Sequence, residues 1–401
     1  MGMKPFLFAG TPAIHFGAGQ LAKLVQVLPR EAKRVLLVMG SFARTNAERW
    51  SKLEAELEAA GIALETARIH FEPTVEWVDE VVERYRQMAI DAVIAIGGGS
   101  VLDAGKAVSA MLPTEPGDTV LHYLEGQPDF RPHNGNKTFF VAVPTTSGTG
   151  SEMTKNAVIA IAGGFKRSIR HDRFIPDAAI VDPLLTISCP LSVKAASGMD
   201  ALTQLIESYV SINASPFTDA LALSGIEAAA SSLLPLCTSP AAAEDPELHA
   251  RLAYASMLSG ITLAHAGLGL VHGFAAPLGG SFPIPHGVIC GTLIAEATKR
   301  NIAALRDNVV SSEQAAIGLA KYAKVGAMLS GQAAMKADID SSCDRLSAVL
   351  EEWTERLQLP RLGEYGVTAA NIDPIIAASN NKQSPVTLGP DLMREILLAR
   401  L

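Results

Sequence analysis

Residues 92–106 read AVIAIGGGSVLDAGK, and this stretch decides the fold. The unbroken apolar run 92–96, closed by glycine, is the pattern of a strand buried on both faces. Gly97, Gly98 and Gly99 let the backbone come close to a ligand. The segment after them, 101–112, reads as a helix whose free N–H groups and positive dipole end face the same point. Together they form a phosphate cradle, to which Ser100 adds a hydroxyl donor. Asp103 and Lys106 stand one helical turn apart, placed to reach a ribose or phosphate or to pair with each other. An ordinary strand-to-helix turn has the same spelling.

Moving outward, the same alternation continues. Strands are expected at 13–16, 34–39 (RVLLVM), 64–69, 138–143 (TFFVAV) and 178–181, with helices at 20–28, 47–60 and 75–88. Alternating helices and near-continuous apolar strands imply a parallel sheet covered on both faces. Residues 157–161 and 168–170 read as a hairpin around Gly163 and Gly164. The strand at 138–143 runs into VPTTSGTGSE (143–152), whose Thr145, Thr146, Ser147, Thr149 and Ser151 hydroxyls suit a sugar-phosphate edge. Open α/β sheets bind ligands at the carboxyl ends of their strands, where both Gly-rich segments fall. A third, Gly17-Ala-Gly19-Gln-Leu-Ala22, fits GxGxxA, but the fingerprint also wants a carboxylate after the next strand. That region reads MGSFAR (39–44), so the first motif is expected to be a tight turn and the pyrophosphate to lie at 97–100.

The chain has 401 residues, 48% hydrophobic and 18% charged, with net charge -8. This is enough for two domains with large cores, and it leaves no basic surface for nucleic acid or anionic membrane. Cys189, Cys237, Cys290 and Cys343 form no CxxC pair and suit a reducing cytoplasm. The first residues, MGMKPFLFAGTP, lack the shape of a signal peptide, and no transmembrane helix is expected. Beyond Pro190 strand patterns give way to long Ala- and Leu-rich helices. The boundary is placed so that 1–187 form an α/β domain with a parallel, dinucleotide-binding sheet and 188–401 an all-helical domain.

The helical half holds GMDALTQLIESYVS (198–211) and GLVHGFAAPLGGSFPIPHG (269–287). Asp200 and Gln204, at i and i+4, share a helix face. His272 ends an apolar run, and His286 follows a Pro-rich turn that fixes its backbone. A carboxylate, an amide and two imidazoles can converge on one divalent metal, and such donors suit zinc or ferrous iron. The same residues also fit a solvated Asp/Gln pair and two hydrogen-bonded core histidines.

The set GGGSxxDxxK, PTTSGTGSE, GMDALTxxIExYVS and HGxxxPLGGxFxxPHG resembles the iron-containing (group III) alcohol dehydrogenase family, which includes maleylacetate reductases and glycerol dehydrogenase relatives. The likeness runs from IHFGAG to NNKQSPVTL, nearly the whole chain. It implies a dehydroquinate synthase-like architecture: an NAD(P)-binding α/β domain and a helical domain binding one divalent metal, ferrous iron first and zinc second. Carried over by position, it places the pyrophosphate on Gly97, Gly98 and Ser100. Thr145, Thr146 and Thr149 then line the nicotinamide side, with Asp103 and Lys166 nearby, and Asp200, Gln204, His272 and His286 hold the metal. The implied activity is metal-assisted hydride transfer between nicotinamide C4 and a small alcohol or carbonyl substrate, in a cytoplasmic homodimer or larger homo-oligomer.

Two positions depart from the family pattern. Gln204 stands where the family usually has His, and an amide oxygen is a weaker ligand for zinc or iron. Ala276 stands where many members have a proton-relaying His. Water can take that role, or His265, seven residues before His272; the plainer reading of His265 is helix packing. Gly40 and Ser41 stand where an Asp would favour NAD, and Arg44 can reach a 2′-phosphate, so both NAD and NADP are expected. The alternatives are an oxoacid reductase of the maleylacetate reductase kind, supported if Arg167 or Arg170 offers positive charge; a lyase resembling dehydroquinate synthase; and a metal-free nucleotide-binding protein that has lost activity.

Overall fold

The structure, a computed structural model, describes residues 5–161, 165–307, 309–331 and 338–401. It divides into two compact units, Ala9–Cys189 and Pro190–Leu401, the latter taking in the N-terminal segment that ends at Phe8. The division falls two residues beyond the expected boundary. Assignment of the N-terminal segment to the helical unit differs from the expected 1–187 domain, and aromatic packing explains it. The Phe8 ring stacks on His265 with centroids 3.9 Å apart and meets Phe217 edge-on at 4.7 Å.

In Ala9–Cys189 the strands are β1 (Ala13–Phe16), β2 (Arg34–Met39), β3 (Ala63–Arg68), β4 (Ala92–Gly97), β5 (Phe139–Pro144), β6 (Asn156–Ile161), β7 (Phe165–Arg170) and β8 (Ala178–Val181). Six form a parallel sheet in the order β1-β8-β5-β4-β2-β3, and β6 pairs antiparallel with β7. The turn expected at Gly163 and Gly164 lies outside the described residues. Alternate residues feed two cores. Leu36, Val38, Val93 and Ala95 pack on one face of the sheet, and Val35, Leu37, Met39, Ile94 and Ile96 on the other. This two-sided burial is why β2 and β4 read as unbroken apolar runs.

The strand order reverses between β2 and β4, the place where such sheets open a crevice. Registers Met39↔Ile96 and Gly97↔Pro144 bring the carboxyl ends of β2, β4 and β5 side by side. Gly40, Gly97 and Thr145 therefore share one rim. The GxGxxA turn is occupied from within. Gly19 N–H (3.1 Å) and Leu21 N–H (3.0 Å) donate to the buried Asp182 carboxylate. Those amides are not open to a phosphate.

Among the described residues the second unit contains helices and no strand. Leu191–Val210 packs against Pro216–Thr238, Pro246–Ala266 and His286–Arg306. Pro216–Thr238 has the length and mean hydropathy, 1.5, of a membrane span, although the sequence led us to expect no such helix. It lies against Leu191–Val210 and Pro246–Ala266, and its Asp219 accepts a bond from Lys321 Nζ at 2.8 Å.

Candidate active site

At the rim of the sheet, the helix Gly99–Met111 starts at Gly98 with no side chain capping its first amides. Those N–H groups and the dipole are left for an anion. A Cβ on Gly99 would come within 2.6 Å of Thr149 Cγ2, so the glycine loop and the 145–149 loop touch. Thr145 N–H donates to Gly97 O at 2.9 Å, and Thr146 lies beside Gly98. Ser147 Oγ is buried with no hydrogen-bond partner. A buried hydroxyl in that state marks a place for a polar ligand. Gly40 faces Ile69 O and Val101 Cγ2, each within 3.4 Å of where a Cβ would stand, which leaves little room for a carboxylate side chain. Ser41 and Arg44 are exposed.

Three charged residues near this rim are engaged inside the protein. Asp103 accepts from Ser151 Oγ (2.6 Å) and Val158 N–H (3.1 Å). Its carboxyl pKa is raised, by burial first, against the opposing pull of Lys106. Lys106 is buried, and its ammonium donates to Ser151 O (2.8 Å), Thr154 Oγ1 (2.9 Å) and Asn156 O (2.9 Å). Burial lowers its pKa to about 8. These two were expected to reach a ribose or phosphate or to pair with each other; they interact with each other and brace the 151–158 segment. Lys166, expected to face the cofactor, is paired with Glu72 at 2.6 Å. Arg170 is likewise paired with Glu125, at 3.0 Å, so it offers no unbalanced charge to an oxoacid.

The second cluster lies in the helical unit. Asp200 and Gln204 sit one turn apart on Leu191–Val210, His272 on Leu270–Ser281, and His286 opens His286–Arg306 behind Pro285. Gly273 and Gly287 follow the two histidines. A Cβ on Gly273 would meet Asn380 O at 1.8 Å, and one on Gly287 would meet Ala196 O at 2.6 Å. Only glycine admits those backbone approaches.

Asp200 Oδ1 lies 3.3 Å from His272 Nε2 and 3.7 Å from His286 Nε2, yet it is buried without a hydrogen bond. His272 Nδ1 is 2.7 Å from Glu207 Oε2, and Glu207 Oε1 accepts from Val271 N–H at 2.7 Å. With Nδ1–H donated to Glu207, a neutral His272 turns its Nε2 lone pair toward Asp200. Burial raises the Asp200 pKa, but His286 and His272 outweigh it, so the net shift is downward. Burial lowers that of His272, and Asp200 and Glu207 reverse the sign. Carboxylate and imidazole lone pairs converge there on one small volume. Asp200 and His272 are 1% and 4% exposed, whereas the His286 side chain is 42% exposed and gives the cluster its open side.

Gln204 is beside Asp200, but its amide is committed. Nε2 donates to Asp200 Oδ2 at 3.1 Å, and Oε1 accepts from Ser259 Oγ at 2.6 Å. An ionised carboxylate only accepts, so the amide nitrogen must face Asp200 and the oxygen, the potential ligand atom, faces away. Cys290, absent from the expected set, offers its sulfur to both imidazoles. Its Sγ is 3.5 Å from His272 Nε2 and 3.6 Å from His286 Nε2. Asp200, His272, His286 and Cys290 each offer one ligand atom, all within 4.8 Å of one another. Cys290 and Glu207 both carried a sequence signal. Cys290 is four residues after His286, and Glu207 is seven after Asp200 on the same helix face.

His265 and His272 do not share a helix as expected. Gly267, with φ 75°, ends Pro246–Ala266, and Leu270–Ser281 leaves at a bend of 101°. The His265 Nδ1 lies 2.7 Å from Ile261 O, and its ring stacks on Phe8. This is a packing role.

Comparison with known proteins finds relatives of both units. The iron-containing alcohol dehydrogenase family model matches residues 11–183, and the C-terminal model of the Fe-containing alcohol dehydrogenase family matches 194–397. The probable alcohol dehydrogenase EutG of Escherichia coli is 33% identical over 91% of this chain and 86% of its own. The NADPH-dependent butanol dehydrogenase of Clostridium saccharobutylicum is 31% identical over 88% and 85%. A solved 1,3-propanediol oxidoreductase superposes with TM-score 0.84 at 26% identity, covering 99% of this chain and 100% of its own.

Proposed function

Since the chain belongs to the iron-containing alcohol dehydrogenase family, and is therefore an oxidoreductase acting on CH–OH groups, we propose that it interconverts a small aliphatic alcohol and its aldehyde, with NADP accepted alongside NAD. The observation that carries this reading is the orphaned Asp200 Oδ1, buried beside the Nε2 atoms of His272 and His286. Asp200, His272 and His286 are the residues that would hold a divalent metal. Bound there, such an ion supplies Lewis acidity toward the substrate oxygen, and the nicotinamide supplies or accepts the hydride.

The chain's own part is to bind, orient and exclude water. Glu207 fixes the His272 tautomer, and the buried Asp200 keeps its charge where water does not screen it. The exposed edge of His286 leaves one side open to a small substrate. The uncapped amides after Gly98 would hold the pyrophosphate, with Ser100 beside them. Thr145, Thr146 and Thr149 would position the nicotinamide half, with the Ser147 hydroxyl available to it. Small residues at Gly40 and Ser41, followed by exposed Arg44, support tolerance of a 2′-phosphate, as does the NADPH dependence in a relative's name.

The test is nucleotide consumption with a panel of C2 to C6 aldehydes, run with NADPH and with NADH. Wild type should turn over with both. Asp200→Ala should lose more than roughly 100-fold, beyond what losing an outer-shell partner costs. Activity unchanged in Asp200→Ala would overturn the assignment of the cluster.

A further inference from the structure

We propose that Cys290, as a thiolate, is the fourth protein ligand of this metal site in place of Gln204, and that the resulting set selects zinc over ferrous iron. The inference rests on reading the Asp200 cluster as a metal centre, and it goes further by naming the donor and the metal.

The distances carry it. Tetrahedral zinc has bonds of roughly 2.0–2.1 Å to nitrogen or oxygen and about 2.3 Å to sulfur. Such bonds place neighbouring ligand atoms about 3.3 Å apart when both are N or O, and about 3.5–3.6 Å apart when one is S. Asp200 Oδ1 is 3.3 Å from His272 Nε2 and 3.7 Å from His286 Nε2. Cys290 Sγ is 3.5 Å and 3.6 Å from the same two nitrogens. Three of these four distances match edges of one tetrahedron, including both sulfur edges, and the Asp200–His286 separation of 3.7 Å is longer than the ~3.3 Å edge such bonds give.

The position of Cys290 follows from its helix. It stands one turn after His286 on His286–Arg306, so the two side chains share a face. It is buried. Gln204 cannot take its place without turning its amide. That would remove the donor from Asp200 Oδ2 and turn a carbonyl oxygen toward the carboxylate. In its observed state Gln204 is a positioning residue, aiming the Asp200 carboxylate so that Oδ1 stays free for a cation. When the metal–sulfur bond forms, the thiol proton leaves to solvent. One carboxylate, two imidazoles and a thiolate are a donor set suited to zinc, whereas an amide oxygen in the fourth place would be harder and neutral.

Cobalt(II) loading of the full-length protein tests this, because thiolate bound to cobalt gives a near-ultraviolet charge-transfer band that nitrogen and oxygen donors do not. Wild type loaded with about one cobalt per chain should show the band. Cys290→Ser should lose it, and Gln204→Ala should keep it. Zinc affinity, measured by chelator competition, should fall in Cys290→Ser beyond the roughly 10- to 100-fold typical of an outer-shell change, and within that range in Gln204→Ala. The preference for zinc over ferrous iron, measured by anaerobic competition, should shrink in Cys290→Ser. Cys290→Ala, which adds no hydroxyl, repeats the test if the serine variant folds poorly. Cobalt bound at one per chain without the band, or a band that survives both Cys290 variants, overturns the thiolate assignment and leaves the metal site standing. Failure of wild type to bind zinc, cobalt or ferrous iron overturns the metal centre and this inference with it.

Discussion

Two of the places where the molecule buries charge are treated in opposite ways. Around Lys106 every polar demand is met from within: the ammonium has several acceptors, and Asp103 has two donors. Around Asp200 the demand is left open: Oδ1 has no donor, and two imidazole nitrogens and a sulfur crowd the same point. A satisfied buried network holds a fold together, and an unsatisfied one awaits a ligand. The contrast separates scaffold from site better than residue type does, since both clusters contain a buried carboxylate beside a buried nitrogen group.

The largest expected effect breaks the satisfied cluster. Lys106→Met leaves Asp103 and Glu152 buried without their cation and should cost on the order of 3–5 kcal/mol of stability, read from the denaturant midpoint. Metal content should be unchanged, because the metal cluster does not use this residue. A stable Lys106→Met protein would make the Lys106 network dispensable and erase the contrast.

A smaller effect sharpens the comparison from the other side. Glu207→Gln keeps the volume but replaces a carboxylate that accepts from both Val271 N–H and His272 Nδ1–H. Metal affinity should drop roughly 10- to 100-fold, measured by chelator competition. The denaturant midpoint of the metal-free protein should move much less than in Lys106→Met.

A third effect is a pH profile. Burial raises the Glu152 pKa from 4.5 to about 7, with Lys106 pulling the other way. The folded state therefore holds this proton more tightly than the unfolded chain. Its contribution to stability is fully present below pH 4.5 and is lost as pH rises toward 7, on the order of 2–3 kcal/mol. Glu152→Gln should flatten the fall in melting midpoint over that window. Lys106, lowered to about 8, acts with the opposite sign between pH 8 and 10.5, so the two windows are separable. A fall that persists in Glu152→Gln would assign it to another group.

The same contrast explains what could be read from sequence. The rim of the sheet was legible because it is made by backbone. Strand ends, three glycines and a helix start are local features, and residues 92–106 contain all of them. The Asp200–His272–His286 core was legible in part, through an i, i+4 pair and two His-Gly steps. The rest depended on partners far along the chain. The Gln204 amide oxygen is bonded by Ser259, 55 residues away on another helix, and Lys166 is paired with Glu72, 94 residues away. The bend that parts His265 from His272 comes from one left-handed glycine in an apolar run. Cys290 was within reach of the spacing rule that selected Gln204 after Asp200.

Gly273 and Gly287 have a further consequence. Each sets the helix bearing a histidine directly against another stretch of main chain, at Asn380 and at Ala196. The spacing of the two imidazoles is therefore gauged by peptide against peptide and owes little to the side chains between them. A single methyl at either glycine would spread the gauge, while donors hung on the remaining helix faces can be exchanged one for another. The chain has a fixed caliper for its two imidazoles, so substitutions at the neighbouring positions 204 and 290 can leave the frame as it is.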